Sequence, residues 1–551
     1  MELAKKSGLS ARNKWCYSLG GIGRDMTYTL VSVFFLTYIQ FGGLGLTVAQ
    51  FAVIGAILIA ERVWDAINDP VMGLIIENTK SKFGKFKPWI LSGALLTAGV
   101  LIAMFNIRFT GWNFVVFFAV IIFLWELTFS MNDISYWALL PNLTSNSVER
   151  DKVTTLAVVF AGVGAFTTSA IVPMVTVGNA VQGYAISAIV IATILVLCQC
   201  LTVFGVKQQK NPIETVGETV SLKRMFKVIF KNDQLLWVTL AMLLYNIGSG
   251  LLVALGYNLV YMEVAYNGTL ALMFVATFGI CNIGTQCFYS KLVNKFGRKK
   301  LLAMSTISIV LGYTLLFVIG LLGYINIVTL CVFGIFVFVG QAIFYMILTV
   351  NLTNTIEYNE MNTGERNEAV IFSLRPFMAK MGSALQQGIV VLVLTATLIV
   401  SLTNRISLLE EFRNVYDKLP ISQQNILQDF VQKGNENYDI EQYKDNIELY
   451  NIMYKIMGYD KPKDEQKPAF DSFKEVKFEK GTVDITLAAD DTFNSATPTM
   501  RFWLRFAVSI VPAVLIILAF IVLRKKYVID EPKYEEILTA IEKNKNLKNR
   551  N

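Results

Sequence analysis

Two aspartates four residues apart, Asp65 and Asp69, lie in an apolar stretch that reads ERVWDAINDPVMGLIIENTKSKFGKFKPW from Glu61 to Trp89. On a helix this spacing puts both carboxylates on one face, about one turn apart, with Asn68 beside them. An ionised Asp at the centre of a spanning helix costs roughly 2.5 to 3.5 kcal/mol on insertion scales. A pair of them therefore calls for a shared cation, a proton or a basic partner across the bundle. A bound cation is the simplest of the three, and the structural alternative is an arginine or lysine from a neighbouring helix. Glu61 and Arg62 stand one turn earlier. Adjacent helical residues diverge by about 100°, so these two need not pair, and either is free to face an aqueous path.

The elements around this stretch are those of a polytopic membrane protein. The 551 residues are 54% hydrophobic with a mean hydropathy of +0.51, too apolar for a soluble chain of this size. Apolar spans fall at about 15–40, 48–76, 88–106, 113–140, 153–177 and 182–206, and then, after a polar stretch, at 235–262, 269–293, 300–322, 325–355, 368–402 and 502–523. The expected organisation is a six-helix bundle over 1–206, a cytoplasmic linker over 207–234, helices 7 to 11 over 235–402, an extracellular insertion over 403–499, helix 12 over 500–524 and a cytoplasmic tail over 525–551. Lys and Arg crowd the N-terminus, the 2/3 turn, the linker, the 8/9 turn and the tail, which puts both termini in the cytoplasm. SKFGKFKPW after span 2 is echoed by NKFGRKK (Asn294 to Lys300) after span 8, an internal repeat that supports the six-plus-six division.

The net charge of +8 sits in these short inter-span segments and reads as topology, with no nucleic-acid partner. The chain has no histidine, so proton traffic would have to use carboxylates. The six cysteines lie in or beside apolar spans and are expected to be buried free thiols. The N-terminus lacks the short apolar core and small-residue cleavage site of a signal peptide, so none is expected to be cleaved. The insertion reverses the sign of the rest of the protein, with 18 acidic residues against 12 basic ones over 403–499. SLLEEFRNVYDKL and SQQNILQDFVQ read as two amphipathic helices broken at Pro420, and FKEVKFEKGTVDITL as a hairpin around Lys480-Gly481. A spacer, a sugar-binding lid and a gating lid are all open for this segment.

Further polar residues fall deep in other spans: Arg24 and Asp25 in span 1, Ser130, Asn132, Asp133 and Trp137 in span 4, and Lys380 in span 11. Asp25, Glu61, Asp65, Asp69, Glu126 and Asp133 all belong to the first half, whereas the second offers chiefly Lys380 and amides. The cation site is therefore placed in the N-terminal bundle.

WDAINDPVMG followed by a turn ending in GKFKPW resembles the signature of the glycoside-pentoside-hexuronide:cation symporters, the melibiose-permease family within the major facilitator superfamily. Further matches recur along roughly residues 10 to 400 and the final helix, while the hundred or so residues before that helix have no counterpart. The resemblance implies an all-α fold of twelve transmembrane helices in two six-helix bundles, and a plasma-membrane transporter that is not an enzyme and needs no cofactor. It implies a cation held by Asp65, Asn68, Asp69 and Ser130. Two carboxylates, an amide and a hydroxyl suit a hard alkali ion, so sodium on Asp65 and Asp69 is expected, with a proton or lithium as alternatives. For the sugar it implies Arg24, Asp25, Asp133 and Trp137, carboxylates accepting hydroxyl hydrogen bonds while an indole stacks on the ring. The expected sugar site also takes in Lys380, which matches the family's helix 11 lysine that bridges the acidic cluster, and Tyr345, which falls where the melibiose permease has a tryptophan. Where that permease has a sugar-holding arginine early on helix 5, this chain has Val158, so preference for an α-galactoside is not inherited. A glycoside or oligosaccharide, a pentoside and a hexuronide remain open. The alternatives to cation-coupled sugar symport are a sodium-coupled lysolipid symporter and a non-transporting sugar sensor.

Overall fold

A computed structural model describes residues 9–144, 147–207, 230–364, 368–433, 440–457, 473, 475–479 and 482–548. The long helices are α1 (Ala11–Phe41), α2 (Val48–Glu77), α3 (Lys87–Asn106), α4 (Gly111–Leu139), α5 (Ser147–Thr176), α6 (Ala180–Gly205), α7 (Asp233–Glu263), α8 (Gly268–Phe296), α9 (Arg298–Leu321), α10 (Ile327–Thr363) and α11 (Glu368–Ala396). The insertion adds α12 (Ile399–Tyr416), α13 (Ile421–Lys433), α14 (Ile447–Ile456), strands β1 (Lys477–Glu479) and β2 (Thr482–Asp484), and α15 (Thr486–Asn494). The last long helix, α16, runs over Pro498–Lys526 with a π turn at Phe506–Ile510, and α17 (Glu531–Lys548) follows. Among the described residues ten helices are long and apolar enough to cross a membrane. α1 and α2, the two that carry Arg24, Asp25 and the Asp65/Asp69 pair, pack into the same bundle without reaching that apolarity.

Each half repeats one packing plan. α1 packs on α5 and α6, α2 on α4, and α3 on α4 and α6; correspondingly α7 packs on α11 and α16, α8 on α10, and α9 on α10 and α16. The repeated basic turns share a backbone requirement, for Gly84 and Gly297 both have positive φ, 91° and 73°, where a side chain would be strained. Short polar caps start the second-half helices: Asn232 accepts from Leu235 N, Asn267 from Thr269 N, and Asn326 from Thr329 N in a capping box. The linker between the halves lies mostly outside the described residues.

Several expectations acquire detail here. α11 ends at Ala396 rather than running to 402, because Leu398 takes a left-handed conformation (φ 57°) that breaks the helix before α12 begins. The two amphipathic insertion helices form as α12 and α13 on either side of Pro420. β1 and β2 pair antiparallel with Glu479 opposite Thr482; Lys480 and Gly481 themselves lie outside the described residues. Around α12 the insertion's apolar side chains pack on one another, the Phe412 ring meeting Phe473 at 5.2 Å and Tyr416 meeting Phe478 at 5.5 Å, in a core continuous with that of the bundle. The segment read as a plain tail contains α17, and its leading acids pair with the repeated basic turn: Glu531 with Arg298 at 2.8 Å and Asp530 with Lys299 at 2.6 Å. The cysteines are free, but none is buried; Cys287 is exposed and the others are partly so, because several spans turn one face outward.

Both ends of the described chain lie at one end of the bundle, since Asn13 Nδ2 at the start of α1 donates to Lys207 O at 2.8 Å and Val528 N, just after α16, donates to Gln234 Oε1 at the start of α7 at 2.8 Å. At the opposite end the halves close on each other. The Phe34 ring of α1 meets Tyr257 of α7 at 5.2 Å, Phe41 meets Tyr261 and Tyr266 at 5.9 and 5.7 Å, and a Cβ on Gly268 would lie 2.4 Å from Pro173 O.

Candidate functional site

Three groups of polar residues occupy the interior between the halves. The first joins α2, α4 and α11. Lys380 Nζ donates to Asp65 Oδ1 at 2.9 Å and also to Asp69 Oδ2, while Ser130 Oγ donates to Asp69 Oδ1 at 3.0 Å. The one-turn spacing in α2 lets a single ammonium from α11 reach both carboxylates. Asp65 is buried, and the Asp69 side chain is 36% exposed. Asn68 is buried on the same helix, and its Nδ2 has no hydrogen-bond partner. Among the described residues no three Asp, Glu or Cys side chains converge as metal ligands. Any ion here would therefore draw on two carboxylates plus neutral oxygens, a donor set that suits a singly charged hard cation.

The second group lies on α1 and α4. Arg24 Nε donates to Asp25 Oδ2 at 2.9 Å, and Arg24 Nη1 pairs with Asp133 Oδ1 at 2.9 Å. The guanidinium sits over the rings of Trp137 and Tyr136 at 4.7 and 5.0 Å. Arg24 is buried, whereas Asp25 and Asp133 keep 24% and 36% of their side chains exposed. Each carboxylate can accept from a guest hydroxyl without giving up its partner.

The third is a cavity of about 290 Å³ between the halves, near the lower limit for ligand sites. It lies further along α1, starting at Tyr28, one turn beyond Asp25. Its polar lining includes Ser32 and Arg62 from the first half and Ser249, Asn282, Gln341 and Gln386 from the second. Gln386 reaches it because α7 has Gly250 opposite, where a Cβ would fall 1.8 Å from Gln386 Oε1. These hydroxyls and amides suit an uncharged, hydroxyl-rich guest.

The structure thus gathers Arg24, Asp25, Asp133 and Trp137 in one place and Asp65, Asp69 and Ser130 in another. Lys380, grouped with the sugar residues on the resemblance, stands with the acidic pair. Tyr345 is apart from both groups, its ring stacked on Tyr245 at 5.9 Å and its hydroxyl accepting from Arg375 Nε at 3.0 Å. Arg375, within the RPFMAKMG stretch, is a second-half cation that the sequence reading passed over, because a lone arginine near a span end reads as topology. Glu61 and Arg62 do approach: Arg62 Nε lies 3.4 Å from Glu61 Oε2 and Nη1 lies 3.5 Å from Glu126 Oε1. Long side chains bend across the 100° between neighbours when burial leaves no water to replace the partner. The cavity amides were visible only as polar residues in apolar spans, with nothing in their spacing to join three helices at one point.

A model of the family described as MFS/sugar transport protein matches residues 16–409. A lactose permease of Lactobacillus helveticus is 31% identical over 412 residues, covering 70% of this chain and 63% of that protein. A raffinose carrier protein of Pediococcus pentosaceus is 26% identical over 393 residues, covering 68% and 60%. The match therefore spans a little over three fifths of the length of these relatives. Among solved structures, a bacterial homologue of the human lysosomal transporter Spinster, inward-facing and unoccupied, aligns with a TM-score of 0.55 at 9% identity, covering 94% of this chain and 97% of that one. A D-xylose-proton symporter aligns with a TM-score of 0.51 at 14% identity, covering 69% and 90%. At these identities the structural likeness establishes the fold alone, a major facilitator fold.

Proposed function

We propose a function that starts from the family: the chain belongs to the MFS/sugar transport proteins, transporters and not enzymes, and it works as a cation-coupled symporter that imports a glycoside or oligosaccharide, a pentoside or a hexuronide. Sodium is the coupling ion, the membrane is the plasma membrane, and both termini face the cytoplasm, so the aromatic closure is extracellular and the chain is inward-facing. The observation that carries the coupling is Lys380 seated between Asp65 and Asp69. A tethered ammonium there balances the acidic pair while no ion is bound. An entering cation takes over the carboxylate oxygens and frees Lys380, which belongs to the other half. Ion binding thereby changes a contact between the halves, which is the requirement for coupling an ion to their relative movement.

The substrate binds Arg24, Asp25, Asp133 and Trp137 and extends into the amide-lined cavity. A membrane potential of about 100 mV supplies roughly 2.3 kcal/mol per charge, enough to concentrate a neutral solute almost fiftyfold. A lysolipid substrate would call for an apolar lateral cleft in place of the Asp25/Asp133 cluster, and Arg24 held between those two carboxylates favours the sugar. A non-transporting sensor would bind without exchange.

Counterflow of labelled sugars from a panel of glycosides in reconstituted vesicles, with and without a sodium gradient, tests the proposal. Exchange accelerated by sodium is expected. Binding without exchange would establish the sensor, and exchange indifferent to sodium but driven by a proton gradient would replace the ion.

A further inference from the structure

We infer that α12 is an extracellular strap: carried by the second half, it holds the outer gate shut by gripping the first half, and it lifts off that half whenever the gate opens. The inference rests on the transport reading and the inward-facing assignment above.

The covalent layout decides which half carries the strap. The insertion leaves from α11 and returns through α16, both helices of the second half, so it must move with that half. Its bonds to the first half are the ones that opening would break. Asn404 Nδ2 donates to Leu46 O at 3.0 Å in the α1/α2 turn, and Asn414 Nδ2 donates to Asn179 Oδ1 at 3.2 Å in the α5/α6 turn. Between them Glu410, 1% exposed, accepts from Ala180 N at 2.7 Å with Oε2 and from Tyr266 OH at 2.8 Å with Oε1. One side chain of the insertion is thus bonded to a turn in each half. Tyr266 N in turn donates to Asp490 Oδ1 at 2.8 Å, and the Phe493 ring lies 6.5 Å from Phe41 and 5.7 Å from Tyr266, so the insertion also joins the aromatic closure.

Glu410 makes the grip sensitive to external pH. Burial pushes its carboxyl up to about 7, against the opposing pull of the Ala180 amide, the Tyr266 hydroxyl and Arg413. The groups around it are Arg413 on its own helix, the Gly178 and Ala180 amides and Tyr184 from the first half, and Tyr261 and Tyr266 from the second. A lifted strap exposes the carboxyl to water, where it returns to the ordinary 4.5. The docked state therefore holds the extra proton between pH 4.5 and 7. Its advantage is complete below 4.5 and is lost as pH rises through about 7, so acidifying from pH 7.5 to 5 favours docking on the order of fiftyfold.

The test uses the full chain in intact cells carrying Ser32→Cys in the central cavity, labelled from outside with a membrane-impermeant maleimide, the modified site being located by mass spectrometry. This readout needs no substrate, so it can fail independently of the sugar-symport reading. Glu410→Ala and, separately, Asn414→Ala should each speed labelling of the introduced thiol severalfold or more by loosening the strap. Asn414 is partly exposed, so its variant keeps the test open should the buried one misfold. With thiol reactivity cancelled by comparison with Glu410→Gln at each pH, labelling of the parent should rise from pH 5 to 7.5. Unchanged labelling in both alanine variants would overturn the strap. A loosened strap with no pH effect relative to Glu410→Gln would overturn the part assigned to Glu410.

Discussion

In the first half, α1, α2 and α4 bring Arg24, Asp25, Glu61, Arg62, Asp65, Asp69, Glu126 and Asp133 into the interior. In the second half α7, α8, α10 and α11 present Lys380, Arg375 and a set of neutral amides and hydroxyls, with Glu357 of α10 as a buried acid. The packing plan is the same in both halves, so this difference owes nothing to the fold. It teaches how a symporter can divide its work. On the proposed function, the charges that would bind an ion are kept on one half, where they balance one another, and the other half contributes a single ammonium that would be released. Neutral donors on the second body can meet and leave a substrate without stranding a charge in a low-dielectric interior, a cost of several kcal/mol for each unpaired ion.

The comparison breaks most visibly at the acidic pair. Asp65→Cys and Asp69→Cys, made separately, should abolish sodium-stimulated uptake while leaving sugar binding measurable. Full sodium stimulation in the Asp69 variant would remove the cation from this face. Asp25→Ala should do the reverse, eliminating sugar binding while sodium still protects the protein from thermal unfolding. It also frees one side of Arg24, so Asp25→Asn, which keeps an acceptor, should lose less.

A smaller effect is expected from the neutral side. Asn282→Ala and Gln386→Ala each remove one hydrogen-bonding group of the kind that contributes about 0.5 to 1.5 kcal/mol, so half-saturation should rise roughly two- to tenfold with the sodium dependence unchanged. A loss of sodium stimulation in either would show that the division between halves is less sharp than drawn here. The smallest effect belongs to the insertion's net charge. Deleting 405–497 and bridging the ends with a flexible linker should leave an inserted bundle that transports with modestly altered affinity and an outer gate loosened as in the Glu410 variant. The part of that change due to acidic residues enriching cations near the entrance should fade with salt, since the Debye length is about 8 Å at physiological ionic strength. A phenotype equally strong at high and low ionic strength, at fixed sodium, would leave only the steric and gating contributions.

What the sequence by itself determined are the properties that hydropathy and helical period encode locally: twelve long helices, their division by a repeated Gly-centred turn, the amphipathic helices of the insertion, and the shared helix face of Asp65 and Asp69. Each follows from residues within a few turns of one another, where 3.6-residue geometry and the cost of burying charge leave little choice. Partnership across the bundle was not encoded in that way. That Lys380 reaches the acidic pair and stands apart from Asp25 was settled by the docking of α11 on α2. The Arg24 contacts with Asp133 and Trp137 came from α1 lying beside α4, and the amide cavity from the meeting of several helices. Glu410 looked in the sequence like one of 18 solvated acids. Only the fold of the insertion back over both halves buried it between Ala180 and Tyr266, because burial is a property of what packs against a residue and not of the residue's own neighbours in the chain.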